Sequence, residues 1–134
     1  MPVIRWVRLA EADPDPDRDY VVMASRLPLR RYRDIAEFLG ATRAIRAQLA
    51  AAEGVVGYTL DAKPLGKTFW TLSAWESDEA LDRFARTDPH RSRVADIRPH
   101  MLPTTFVRWS LSGKELPPKW PDARQRVEDS ATRT

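Results

Sequence analysis

The sequence predicts a single α+β domain of ferredoxin-like βαββαβ order: a four-stranded antiparallel sheet with its helices on one face, paired with a second copy as a dimeric α+β barrel. Three observations predict it. Strand-like and helix-like periodicities alternate as strand, long helix, hairpin, helix pair and strand between residues 19 and 112. The two middle strand patterns are separated only by Lys63-Pro64-Leu65-Gly66, a spacing that suits an antiparallel hairpin. The strands are apolar on both faces, so a sheet with helices on one side leaves a greasy face to be covered by a twin.

Residues 1–18 read as a short strand, VIRWVRL over 3–9, followed by a linker. In that linker Asp13-Pro14-Asp15-Pro16-Asp17 stops either kind of regular ladder. Residues 19–112 form the domain proper. Its first strand, DYVVMASRL over 19–27, is bounded by Pro28. From Arg31 to Ala52 the apolar residues Ile35, Phe38, Ala41, Ile45 and Leu49 recur every three or four positions and draw one stripe along a long helix. Glu53-Gly54 closes it, as a glycine past a helix end commonly does. The hairpin strands follow over 55–62 and 67–76.

Ser77 ahead of Asp78 and Glu79 is an N-cap with acids in the first turn, opening a helix that buries Leu81, Phe84 and Ala85. Asp88-Pro89 repeats the device for a second helical piece with His90, Val94 and Ile97 on one stripe. A last strand, TTFVRWSL over 104–111, ends at Ser112-Gly113. Residues 113–134 are an arm with a helix-compatible stretch, DARQRVED, anchored by Trp120; the pattern does not say which subunit it grips.

Composition narrows the functional classes. At 134 residues, 43% hydrophobic and 31% charged, the chain suits one ordinary globular domain. The absence of cysteine removes disulfides, thiolate nucleophiles and cysteine-bound metal sites, and no metal site is expected. The 22 basic residues are offset by 19 acidic ones to a net charge of +3 and are mixed along the chain, which reads as a solvated surface and not a nucleic-acid stripe. No apolar run is long enough to cross a bilayer, and the N-terminus lacks the apolar core of a secretory signal, so neither a membrane nor export is expected and the cytoplasm is the expected compartment.

Residues 71–90, TLSAWESDEALDRFARTDPH, carry a resemblance: a strand ending in Trp75-Glu76-Ser77, a helix, and a break before a histidine. Over about residues 19–112 the chain resembles the antibiotic-biosynthesis-monooxygenase group of the dimeric α+β-barrel superfamily. That group includes cofactor-free oxygenases, haem-degrading enzymes and members with no known reaction. The haem-degrading pattern implies an Asn on the first strand, a Trp on the helix after the Trp-Glu-Ser turn and a haem-ligating His beyond it. Ser25, Phe84 and Val94 occupy those positions here. Valine cannot ligate iron, so haem chemistry of that type is not expected.

What the resemblance does imply is a cofactor-independent monooxygenase acting on a small aromatic or polyketide-like substrate. His90 would be the base, Arg26 would steady the anion, and Trp75 with Phe38 would wall the site. Tyr58, Phe84, Ser25 and Arg108 complete the candidate lining. Each residue has a plainer reading beside this one. His90 fits a half-buried histidine bonded to a backbone carbonyl, and Trp75 and its aromatic neighbours fit a core. Arg26 and Arg108, set among apolar neighbours, fit salt bridges to Asp61 or Glu76. The competing function is a non-catalytic dimeric module that binds a hydrophobic small molecule or supports a pathway partner.

Overall fold

A computed structural model describes residues 4–11, 13–63 and 66–132. The elements run β1 (Val7–Arg8), β2 (Asp19–Pro28), α1 (Ile35–Ala51), β3 (Val55–Lys63), β4 (Thr68–Trp75), α2 (Asp78–Arg86), α3 (His90–Ile97), β5 (Thr105–Ser112) and α4 (Trp120–Thr132). Short 3-10 turns lie at Tyr32–Asp34, Arg98–His100 and Gly113–Glu115. The expected first strand is cut to two residues; Val3, at its start, and Pro64 and Leu65, in the hairpin loop, lie outside the described residues. No helix among the described residues is long and apolar enough to cross a membrane.

All pairings are antiparallel and the order is β1-β3-β4-β2-β5. Strands β2 to β5 with α1 and the α2–α3 pair make the ferredoxin-like α+β core, and β1 extends it by one edge strand. The capping chemistry holds at α2, where the Ser77 hydroxyl accepts from the Ala80 amide at 3.1 Å. At α3 the helix begins one residue later than expected, yet Asp88 still serves its first turn by accepting from the Ser92 amide and hydroxyl. Gly54 turns the chain at φ +81, where a Cβ would stand 2.6 Å from that of Ala80, so both conformation and space demand glycine.

The sheet's two faces are built differently. Odd-numbered residues of β2 and β4 point toward α1, α2 and α3: Val21 stands opposite Trp75, Met23 opposite Ser73, and Ser25 opposite Thr71. Here Leu49, Tyr58, Trp75, Leu81 and Phe84 form one buried cluster, while Leu29, Phe38, Phe69 and Ile97 form another.

The even-numbered residues point the other way, into a third cluster holding Val22, Ala24, Leu72 and Ala74 together with Ala123 and Val127 of α4. All six have no exposed surface. The arm therefore grips its own sheet. Trp6 and Leu116 pack on the same cluster, and the Trp6 indole lies so close over Gly57 that a Cβ there would stand 2.6 Å from its ring. The sequence leaves this face for a partner subunit; in the structure the chain's own α4 occupies it.

Candidate functional site

His90 opens α3, and two hydrogen bonds fix it. Its backbone N–H donates to Gln48 Oε1 at 2.7 Å, and its ring Nδ1 lies 3.1 Å from the Ala85 carbonyl oxygen. A carbonyl only accepts, so Nδ1 carries the proton and Nε2 of the neutral ring carries the lone pair. Among the described residues Nε2 has no hydrogen-bond partner. Burial pushes the pKa of His90 below the ordinary histidine value, and the bond to Ala85 only partly opposes this. The imidazole is thus neutral near pH 7, with its basic nitrogen uncommitted.

The ring meets Phe84 at 5.0 Å in a tilted contact, and Phe84 in turn meets Trp75 at 5.2 Å, also tilted. Trp75 is 1% exposed and donates its indole N–H to the Ser73 hydroxyl at 2.9 Å. Across the strand pair from Ser73 stands Tyr58, whose hydroxyl accepts from Arg46 Nε at 2.9 Å. An aromatic column thus runs from His90 through Phe84 and Trp75 into the sheet. The plainer readings of these residues are visible in the same contacts: the imidazole bonds to a backbone carbonyl, and the aromatic rings are packed core.

The other candidates fall elsewhere. Arg26 lies on the α4 face, because it shares the even-numbered side of β2 with Val22 and Ala24. Its guanidinium sits over Trp70, 5.8 Å from the ring centre, and meets no carboxylate among the described residues. Arg26 and His90 are therefore separated by the sheet itself. Asp61, a suggested partner for Arg26, pairs instead with Arg124 and Lys63, and Glu76 pairs with Arg18. Arg108 does make a salt bridge, but to Asp78 and Asp82 of α2, at 3.1 and 2.7 Å.

Phe38 packs on Phe69 at 4.4 Å. Phe69 is six residues from Trp75 on β4, about 20 Å along the strand, so Phe38 and Trp75 do not wall one pocket. Ser25 bonds to the Thr71 hydroxyl in mid-sheet. His100 is half exposed but faces Asp34 at 3.2 Å and Glu37 at 3.7 Å.

Gln48, Arg46 and Ser73 are the polar groups that tie the His90 column to the fold, and the sequence pattern singled out neither Gln48 nor Arg46. The one available signal for Gln48 was its place three residues after Ile45, beside the apolar stripe of α1.

Two cavities stand out, and neither reaches His90. One, of about 210 Å³, lies between β1, the proline linker and the arm, against Trp6, Arg8 and Pro117. The other, of about 200 Å³, lies beside Arg108 and Trp109. Both are smaller than the roughly 300–1,000 Å³ usual for ligand pockets.

Comparison with solved structures places the architecture. A candidate antibiotic biosynthesis monooxygenase from Nitrosomonas europaea matches with a TM-score of 0.63 at 14% identity, over 75% of this chain and 94% of that one. SnoaB, a cofactor-independent oxygenase from Streptomyces nogalater, matches with a TM-score of 0.55 at 18% identity, over 75% of this chain and 99% of the other.

The fold is that of the antibiotic biosynthesis monooxygenase group.

A candidate monooxygenase from Lactobacillus acidophilus also matches, with a TM-score of 0.61 at 11% identity; the match takes in 81% of this chain and about half, 51%, of that longer one. No protein-family model and no curated protein matches the sequence. The likeness is thus one of fold. The matches to the Nitrosomonas protein and to SnoaB take in nearly all of the neighbour but only three-quarters of this chain, which carries β1, its linker and α4 beyond the βαββαβ core.

Proposed function

We propose that the protein is a cofactor-independent monooxygenase-like enzyme that holds a small aromatic or polyketide-like molecule on the helical face of its sheet. The observation that carries this reading is His90: a neutral imidazole with its Nδ1 proton committed to Ala85 and its Nε2 open, seated against the Phe84–Trp75 pair. A base in that state accepts a phenolic or enolic proton without first losing one of its own. The substrate anion then supplies electrons to oxygen itself. One oxygen atom passes to carbon and the other leaves as water, so that a CH2 group becomes a carbonyl. The protein's part is to desolvate the anion and orient it.

Arg26 does not serve this site. On the helical face Arg46 is the guanidinium joined to the aromatic column, through Tyr58, and we assign it the anion-steadying role. The expected homodimer rested on an uncovered sheet face. With α4 on that face, we take the single chain as the unit that binds the ligand, and the cytoplasm as its compartment.

A second reading, a non-catalytic small-molecule-binding or pathway-accessory module, is favoured by one observation: the cavities lie away from His90. Oxygen uptake with hydroquinone-type compounds separates the two. The enzyme reading expects uptake by the wild type and a loss of about a hundredfold in His90→Ala. Equal rates in both proteins would remove His90 from the mechanism, and binding without uptake would leave the module.

A further inference from the structure

The break between α2 and α3 is held by one side chain that the proposed chemistry does not use. Gln48 reaches across from α1 and donates its Nε2 hydrogens to the Phe84 carbonyl at 3.2 Å and the Thr87 carbonyl at 3.1 Å, while its Oε1 accepts from the His90 amide at 2.7 Å. Helix ends leave carbonyls and amides short of partners; here the Phe84 and Thr87 carbonyls each accept from a backbone amide as well, of Thr87 and Arg91 at 3.2 Å, and Gln48 adds the bond that crosses from α1. One carboxamide here serves both ends at once. Its orientation is fixed by its partners: the reverse flip would set NH2 against an N–H and oxygen against two carbonyls.

Two of the residues that Gln48 holds, Phe84 and His90, also form the setting of the imidazole. The Phe84 ring meets that of His90 in a tilted contact, and Ala85, the next residue, supplies the carbonyl that accepts the hydrogen bond from Nδ1–H. We propose that Gln48 is the positioning residue of the site: by clamping α2 to α3 it holds His90 in the single tautomer that leaves Nε2 open. The role matters for function only if His90 is the base proposed above, but it can be tested without any turnover. Glutamine suits it through its chemistry, because a carboxylate lacks the two donors and an aliphatic side chain lacks all three bonding groups.

The test is nitrogen-15 NMR of the His90 ring in the full chain, for wild type, Gln48→Leu and Gln48→Glu. In the wild type, above pH 7, a single tautomer protonated at Nδ1 is expected. In Gln48→Leu the ring should populate both tautomers, and its titration midpoint should rise toward that of a free imidazole. Gln48→Glu keeps the acceptor for the His90 amide and loses both donors, so a smaller change in the same direction is expected; it decides the matter should the leucine variant fail to fold. A folded variant with an unchanged tautomer and midpoint would overturn the proposal. If the wild type consumes oxygen, Gln48→Leu should slow it about tenfold to a hundredfold, with its pH dependence displaced upward in step with the NMR midpoint. If the wild type consumes none, the enzyme reading fails while the NMR result still decides the role of Gln48.

Discussion

Arg124 of α4 donates a hydrogen bond to Asp61 of β3, a carboxylate with no exposed surface. The pair ties the arm to the sheet through a charge that is costly to bury alone. Lys63 adds a second cation at 3.4 Å, and Arg124 also lies over the rings of Trp70 and Trp120 at 4.9 and 4.8 Å. One guanidinium thus joins two aromatic residues and a buried acid across the α4 seam.

Breaking one side of such a pair should cost more than removing both. Arg124→Met strands Asp61 with Lys63 alone, and a loss of about 2–3 kcal/mol is expected, below the roughly 3–5 of a fully isolated buried charge. Adding Asp61→Asn should restore part of it. Chemical denaturation of the two single variants and the double variant measures the coupling; strict additivity would mean that the pair is not coupled in solution.

Gly57 lies beneath the Trp6 ring. In Gly57→Ala the new methyl would stand 2.6 Å from the indole and push it outward to ordinary contact distance, and overpacking of this kind costs about 1–3 kcal/mol. A lowered Tm with a red-shifted tryptophan emission is the expected pair of changes. An alanine variant as stable as the wild type would place Trp6 elsewhere.

His90 should leave a mark on the pH dependence of stability. Its folded-state pKa is depressed by burial, so below the unfolded value, near 6.5, the unfolded chain binds more protons than the folded one. The wild type therefore loses stability as pH falls from about 7 toward the folded pKa, and beyond it the loss levels off. His90→Gln lacks this component, so the stability difference between the two proteins should shift against the wild type across that window. A difference that is flat between pH 7.5 and 5 would contradict the burial of the ring.

How much of this was legible depends on the residue. The stripe of α1, the Ser77 cap and the hairpin follow from spacing and capping chemistry, because those signals are local. The face of Arg26 was not legible: β2 is apolar on both sides, with Val21 and Met23 on one and Val22 and Ala24 on the other, so alternation alone could not say which side carried the site. The helical pattern of 122–129 was visible, but not its seat. Ala123 and Val127 stand four residues apart, which marks a face without naming what covers it. Asp61 and Gln48 act through partners 63 and up to 42 residues away, pairings that appear only once the chain has folded.

The division of the sheet into a closed face under α4 and a helical face bearing His90 is tested most directly by sedimentation velocity of the full chain at micromolar concentration, beside a chain ended at Ser112. The full chain should sediment at the mass of a single subunit, and the shortened one, with Val22, Ala24, Leu72 and Ala74 laid bare, should pair or aggregate. A full-length chain that sediments as a dimer, or a shortened chain that stays a folded single subunit, would contradict the closed face.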